Sequence, residues 1–325
     1  MPFQYTSVQN KIEESLQQLP LSGKPVELYE PIRYILNVGG KRLRPLLTTL
    51  GCYLFNEQFD KALKPALAVE VFHNFTLMHD DIMDQAPLRR GKPTVHEKWS
   101  ANVAILSGDV MLVKAYDLLL HVDKDLIHTV IEKFNKCACE VCEGQQFDMN
   151  FETLESVSIE SYLNMIRLKT AVLLGFSLEL GAILGGAEEH AATQLKNFGE
   201  SIGLGFQIKD DLLDVYGNQQ KFGKQVGGDI IANKKTYLLL KALKDADKNQ
   251  LAELNSWLIK EKFNPEEKVN AVKAIYDQLN IREQAQELAE NYFTNSFKIL
   301  EELDINSERK NELINFADML IHREK

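Results

Sequence analysis

The pattern Asp-Asp-x-x-Asp occurs twice in this 325-residue chain, as Asp80-Asp81-Ile82-Met83-Asp84 and, 130 residues later, as Asp210-Asp211-Leu212-Leu213-Asp214. On a helix, positions i and i+4 lie one turn apart on one face, so Asp80 aligns with Asp84 and Asp210 with Asp214. Carboxylates stacked in this way repel each other, and a hard divalent cation with a preference for oxygen offsets the repulsion. Magnesium suits such pairs, because it takes one or two carboxylates and fills its shell with waters and phosphate oxygens. A single cluster of this kind in an acidic chain reads more readily as a solvated face or a helix C-terminus. The flanks argue otherwise: Phe72, Phe75, Leu77 and Met78 lead into the first cluster, and Leu204, Phe206 and Ile208 into the second. Carboxylates at the ends of apolar helices stand at the mouth of a core, where a metal is a natural partner.

The cations are grouped as well. Gly39-Gly40-Lys41-Arg42-Leu43-Arg44-Pro45 places three of them behind two glycines, and Leu88-Arg89-Arg90-Gly91-Lys92-Pro93 places three just after the first aspartate cluster. Lys221 and Lys224, then Lys234 and Lys235, follow the second cluster. Arginine grips phosphate oxygens with a two-pronged fork and lysine acts as a point charge. The phosphate loop G-x-x-x-x-G-K-[ST] is missing. Any one basic patch alone reads more readily as surface. Together with two metal-type clusters on apolar helices, the patches imply a substrate with a diphosphate head and a hydrocarbon tail.

Long helices must carry these groups. Eight of the nine prolines lie at or before Pro93, and the 171 residues from Thr94 to Asn264 contain none. Apolar residues there recur at helical spacing, as in Ile159, Tyr162, Leu163, Ile166, Ala171, Leu174 and Leu178, or Val103, Leu106, Val110, Val113 and Leu120. Hairpin signals, internal repeats and low-complexity segments are missing. The expected fold is all-α: roughly a dozen helices forming one bundle over residues 1–325 with a central apolar cavity, and two conspicuous loops at 85–93 and 217–229. Residues 171–187 are the longest apolar stretch, and Glu179 within it argues for a core helix over a membrane span. A balance of 47 acidic to 37 basic residues argues against non-specific nucleic-acid binding. Four cysteines suit a reducing cytosol, and residues 1–11 carry no apolar export signal, so a cytoplasmic protein is expected. Cys137, Cys139 and Cys142 have no fourth zinc ligand nearby; Cys139 and Cys142 read as small packing residues.

In combination these motifs resemble the trans-isoprenyl diphosphate synthases, the polyprenyl synthetase family, from about Gly39 to Thr236. They are G-G-K-R-L-R-P at 39–45, H-D-D-I-M-D at 79–84, L-R-R-G-K-P-T at 88–94, G-Q-Q-F-D at 144–148, R-L-K-T at 167–170, F-Q-I-K-D-D-L-L-D at 206–214, F-G-K at 222–224 and G-G-D-I-I-A-N-K-K-T at 227–236. The resemblance implies that Asp80, Asp84 and Asp210 bind three magnesium ions holding an allylic diphosphate, with manganese able to substitute, and that Asp81, Asp211 and Asp214 support them directly or through water. It implies that Arg89, Lys169, Lys224 and Lys234 clamp that diphosphate, while Lys41, Arg44, His73 and Arg90 hold isopentenyl diphosphate. Thr170 and Gln207 match positions beside the reacting carbon, and Gln145 and Asp148 a pair behind the metals. His73 lies seven residues before Asp80, nearly two turns along the same face.

The reaction implied is head-to-tail condensation, in which ionisation is followed by attack of the isopentenyl double bond and loss of a proton. The partners are isopentenyl and allylic diphosphates and a second copy of the chain, with neither nucleic acid nor stable membrane insertion; stretches 103–120 and 126–141 are candidates for the dimer interface. Family members stop chain growth with bulky residues upstream of the first motif. Phe75 and Phe72 lie about 7.5 and 12 Å below Asp80 along the helix, with small Thr76 between them and the motif. A C15 to C20 product is therefore expected, C20 slightly favoured. A longer-chain synthase and a non-catalytic partner subunit are the alternatives. Terpene cyclases fit less well, since they lack a second D-D-x-x-D and the Lys41, Arg44 and Arg90 set.

Overall fold

The computed structural model describes residues 3–217 and 227–321. Lys221, Lys224 and the Arg323-Glu324-Lys325 tail lie outside them. Among the described residues there are sixteen α-helices. In chain order they are α1 (Tyr5–Gln17), α2 (Val26–Asn37), α3 (Leu43–Phe55), α4 (Leu63–Met83), α5 (Val95–Lys98), α6 (Ala101–Leu119), α7 (Ile127–Thr153), α8 (Ile159–Ile166), α9 (Val172–Gly185), α10 (Glu189–Tyr216), α11 (Gly228–Ile231), α12 (Tyr237–Asp245), α13 (Lys248–Ile259), α14 (Pro265–Gln278), α15 (Ile281–Glu302) and α16 (Ser307–Ile321). The all-α class is as expected. The helix number exceeds a dozen partly because α5 and α11 have four residues each, too few to leave an amphipathic repeat in the sequence.

The chain divides into two compact units, each assembled from three stretches. The first comprises Met1–Cys137, Leu173–Lys196 and Leu303–Leu313. At its centre lies α4, whose residues 65–72 are buried without a break. A helix apolar on every side must be surrounded, and the one charge in this run is Glu70. Phe75, Phe72, Phe134 and Phe176 form a ladder of rings with successive centroids 5.7, 5.1 and 5.8 Å apart. Ser100 starts α6 by accepting the Val103 N–H. Along α6 and at its end, Leu106, Val113 and Leu120 are exposed at intervals of seven residues, so three of the five members of the predicted apolar series face outward.

The 85–93 segment is not an irregular loop. Leu88–Arg89 pairs with Lys92–Pro93 as a minimal antiparallel hairpin. Arg90 (φ 52°) and Gly91 (φ 74°) both adopt left-handed backbone at its tip. Two positive φ angles make a turn whose twist matches the strands. The sequence hid it because the usual Asn-Gly or Asp-Gly is here Arg-Gly.

The second unit comprises Ala138–Val172, Asn197–Glu302 and Ile314–Lys325. Its helices begin with recognisable caps: Ser158 accepts from Ser161 N before α8, Asp247 builds a capping box before α13, and Asn264 precedes Pro265 at the head of α14. Between α8 and α9 the residues Arg167–Ala171 form a π-turn. The whole stretch Ile159–Gly185 is long and apolar enough to cross a membrane, yet 78% of its most apolar window is buried within the fold. Cys139 and Cys142 are exposed, correcting their reading as packing residues: they fall on the outer face of α7, while Cys137 turns inward.

Candidate active site

In the first unit, α4 ends in carboxylates where its own dipole is already negative, an arrangement that calls for cations. Asp81 is 2% exposed, and the hairpin brings Arg89 onto it, with Nε 2.9 Å from both carboxylate oxygens. A second guanidinium nitrogen of Arg89 reaches Asp80 at 3.5 Å. The hairpin is tied to the helix end by Ala86 N donating to Asp81 O, Thr94 Oγ1 to Ala86 O and Thr94 N to Pro87 O. Asp80 is half-buried, and Asp84, the residue that ends the helix, is exposed one turn on.

The cations predicted for isopentenyl diphosphate gather in this unit. Arg44, on the first turn of α3, donates to His73 Nε2 at 3.2 Å. Burial and the guanidiniums of Arg44, Arg90, Arg89 and Arg42 hold His73 well below the usual imidazole range. His73 is therefore neutral, with its proton on Nδ1 and Nε2 accepting. Arg44 Nε is enclosed without a hydrogen-bond partner. The Arg90 side chain lies against Gly40, where an added Cβ would sit 2.8 Å from its guanidinium; a glycine is needed there for the turn and the arginine to approach. Lys41 is exposed beside them. Several guanidiniums converging on a neutral histidine make a place that needs an anion. Phe72 is 1% exposed, fixed in the ring ladder. Phe75 is half-buried, its ring 4.7 Å from that of His79, and Thr76 is half-buried with its hydroxyl donated to His73 O.

In the second unit the central residue is Asp211, 5% exposed on α10. Tyr162 donates its hydroxyl to Asp211 Oδ2, Gln207 Nε2 donates to Oδ1 at 3.3 Å, and Thr170 Oγ1 donates to Gln207 Oε1 at 3.4 Å. Burial pushes the Asp211 carboxyl up to about 8, against the Tyr162 and Gln207 hydrogen bonds that favour its ionised form. Asp210 stands beside it, and Asp214 accepts the Asp229 N–H at 2.9 Å. Lys169 and Thr170 sit within the π-turn, a distortion that recurs at functional positions. Lys169 pairs with Asp148 at 2.6 Å. Its backbone nitrogen would lie 2.2 Å from a Cβ on Gly144, so the glycine of G-Q-Q-F-D lets α7 touch the π-turn. Gln145 is half-buried, with Nε2 enclosed and lacking a partner. Lys234 lies 3.9 Å from Asp229. Lys235 goes elsewhere, to the carbonyls of Phe151 and Leu154 at the end of α7.

The predicted residues thus assemble as Asp80, Asp81, Asp84, Arg89, Lys41, Arg44, His73, Arg90, Phe72, Phe75 and Thr76 in one unit, and as Gln145, Asp148, Lys169, Thr170, Gln207, Asp210, Asp211, Asp214 and Lys234 in the other. Lys224 lies outside the described residues. Tyr162 was legible only as part of an apolar series; the clue was that a buried phenol needs a partner for its hydroxyl. Among the described residues no three His, Cys, Asp or Glu side chains converge as a ready metal site. The donor chemistry nevertheless fits magnesium: each motif offers two carboxylates one turn apart, hard oxygen donors with room for water and phosphate to complete the shell.

Comparison with known proteins agrees with this chemistry. The family profile described as Polyprenyl synthetase matches residues 25–279. A geranylgeranyl pyrophosphate synthase of Geoglobus acetivorans is 40% identical over 315 residues, covering 96% of either chain. A short chain isoprenyl diphosphate synthase of Methanocaldococcus jannaschii is 40% identical over 270 residues, 83% of this chain and 82% of its own. A crystal structure of a geranylgeranyl pyrophosphate synthase superposes with a TM-score of 0.94 at 43% identity, over 99% of this chain and all of that one. By profile, sequence and fold, this chain belongs to the polyprenyl synthetase family.

Proposed function

We infer that the chain is a short-chain trans-prenyl diphosphate synthase, joining isopentenyl diphosphate head-to-tail to an allylic diphosphate and stopping at C15 to C20, with C20 favoured. One observation carries the reading. Besides two aspartate-ended helices suited to a metal-bound diphosphate, the protein holds a separate cluster of Arg44, Arg90 and neutral His73 that fits a second diphosphate. A cyclase acting on one diphosphate has no use for it.

Magnesium, when bound, would supply positive charge against that growing on the departing diphosphate. Asp80, Asp84 and Asp210 would hold it, supported by Asp81, Asp211 and Asp214 directly or through water. Arg89, Lys169 and Lys234, joined by Lys224, take the allylic diphosphate oxygens. Lys41, Arg44, Arg90 and His73 take those of isopentenyl diphosphate. When the allylic carbon–oxygen bond breaks, its electron pair leaves with the diphosphate. The isopentenyl double bond then forms the new carbon–carbon bond, and the released diphosphate accepts the proton lost. Thr170 and Gln207 would steady the developing cation with their oxygens; the Gln207 amide is held in place by donating Nε2 to Asp211 and accepting the Thr170 hydroxyl at Oε1. Apolar walls keep water from quenching the cation.

The same reading includes one functional domain over residues 1–325, a cytoplasmic location suited to soluble diphosphate substrates, and a homodimer. The outward series Leu106, Val113 and Leu120 supports the dimer, since a heptad stripe is what a second helix packs against.

The test is to incubate the purified protein with magnesium, isopentenyl diphosphate and a C5, C10 or C15 allylic diphosphate, then to measure product length. A C15 or C20 end point is expected. No elongation from any starter would refute the reading.

A further inference from the structure

The segment Gly39-Gly40-Lys41-Arg42-Leu43-Arg44 carries three cations, and the structure separates them into two kinds. Lys41 is exposed and Arg44 meets His73, but Arg42 is 3% exposed. All three nitrogens of its guanidinium are hydrogen-bonded inside the fold. Nε donates to Glu13 Oε1 at 2.9 Å, one terminal nitrogen to Glu70 Oε1 at 2.7 Å, and the other to Leu36 O at 2.6 Å and Glu13 Oε2 at 3.4 Å. Glu70, 4% exposed, also accepts from Asn74 Nδ2 at 3.1 Å. One side chain thereby joins α1, the end of α2, the start of α3 and the middle of α4. At 3% exposure the guanidinium is closed off from a substrate.

The backbone of Arg42 is equally constrained. It precedes α3 at φ 50°, ψ 38°, a left-handed conformation that a side-chain-bearing residue adopts only when its surroundings demand it. That one residue turns the chain between Lys41 and the helix that carries Arg44. A buried ion pair is weak evidence of stabilisation, since apolar residues of similar size often serve as well; its stronger use is to fix geometry. The geometry here is paired. Glu70 and His73 lie three apart on one face of α4; Glu70 holds Arg42, and His73 holds Arg44. Glu70 also acts on Arg44 and Arg90, countering in part the burial and the repulsion among guanidiniums that lower both.

We propose that Arg42, locked between Glu13 and Glu70, is a positioning residue for the isopentenyl diphosphate pocket, setting Lys41 and Arg44 without touching the substrate. The proposal rests on the assignment of that pocket above. Wild-type turnover tests the assignment, and the variants test the proposal in enzyme already shown to be active.

The variants are Arg42→Lys, which keeps the charge but loses the fork, Glu13→Gln, at a partly exposed position on α1 whose change leaves the fold intact, and the double Arg42→Met with Glu70→Leu, which removes the buried charges together. Thermal melting checks folding, and KM is measured separately for isopentenyl diphosphate and for the allylic substrate. The expected result is an isopentenyl KM raised about tenfold in Arg42→Lys and the double variant, and a few-fold in Glu13→Gln, with the allylic KM within about twofold of wild type. An unchanged isopentenyl KM in Glu13→Gln and in whichever Arg42 variants fold would overturn the proposal. So would a fall in kcat with both KM values unchanged, the mark of a merely structural residue.

Discussion

Replacing Phe75 with alanine should lengthen the product by about one isoprene unit. Phe75 and Phe72 are three residues apart on α4, so removing the upper ring deepens the space beneath Asp80 by about 4.5 Å before the lower ring is reached. The two rings differ in what their loss would cost. Phe72 is 1% exposed and packed against Phe75 and Phe134, so its truncation would cost about 3–5 kcal/mol. Phe75 is half-buried, and its truncation should cost roughly half that, about 2 kcal/mol, which a domain of ordinary stability of about 5–15 kcal/mol withstands. Phe75→Ala should therefore stay folded and active while its main product moves from C20 to C25. The assay is turnover with a C15 allylic starter and excess isopentenyl diphosphate, followed by dephosphorylation and reversed-phase chromatography beside standards. The converse change, Thr76→Phe, places a ring about 6 Å below Asp80 and should shorten the product to C15. An unchanged main product in Phe75→Ala, at turnover near wild type, would refute the claim that this ring ends the channel.

Three further outcomes are expected. Burial raises the Asp211 carboxyl from 3.8 to about 8, so the folded state binds this proton more tightly than the unfolded one. The stability it contributes is present in full below about pH 4 and lost as pH rises through about 8. Metal-free melting temperature should fall over that range, and less so in Asp211→Asn; equal slopes would refute the assignment. Lys268, fully buried, donates to Ile231 O and Asn233 Oδ1 just before Lys234, so Lys268→Met should strand two acceptors at about 1–3 kcal/mol and raise the allylic KM while sparing the isopentenyl KM. Val113→Glu, in the middle of the exposed stripe on α6, should convert a sedimenting dimer to monomer; a wild-type monomer at micromolar concentration would refute the dimer.

The spacing Asp-Asp-x-x-Asp held more of the site than the pairing of its outer carboxylates. On a helix the second aspartate lies about 100° around from the first, so when the first and fifth face a cavity the second turns into the wall. Both motifs do this: Asp81 and Asp211 are the buried members, and both are bonded to protein. The spacing implies that burial but cannot supply the partners. Arg89 reaches Asp81 only because a hairpin folds back, and the hairpin rests on an Arg-Gly turn that carries no conventional hairpin signal. Tyr162 reaches Asp211 across 49 residues, and Arg42 reaches Glu70 across 28. What was legible was the local periodicity that orients each group on its own helix. What was not legible was the long-range pairing that decides which charges are spent inside the fold and which remain for substrate. Arg42 and Arg44 show the difference, because two arginines separated by one leucine read alike in sequence, yet one is consumed by Glu13 and Glu70 while the other meets a neutral histidine beside the anion site.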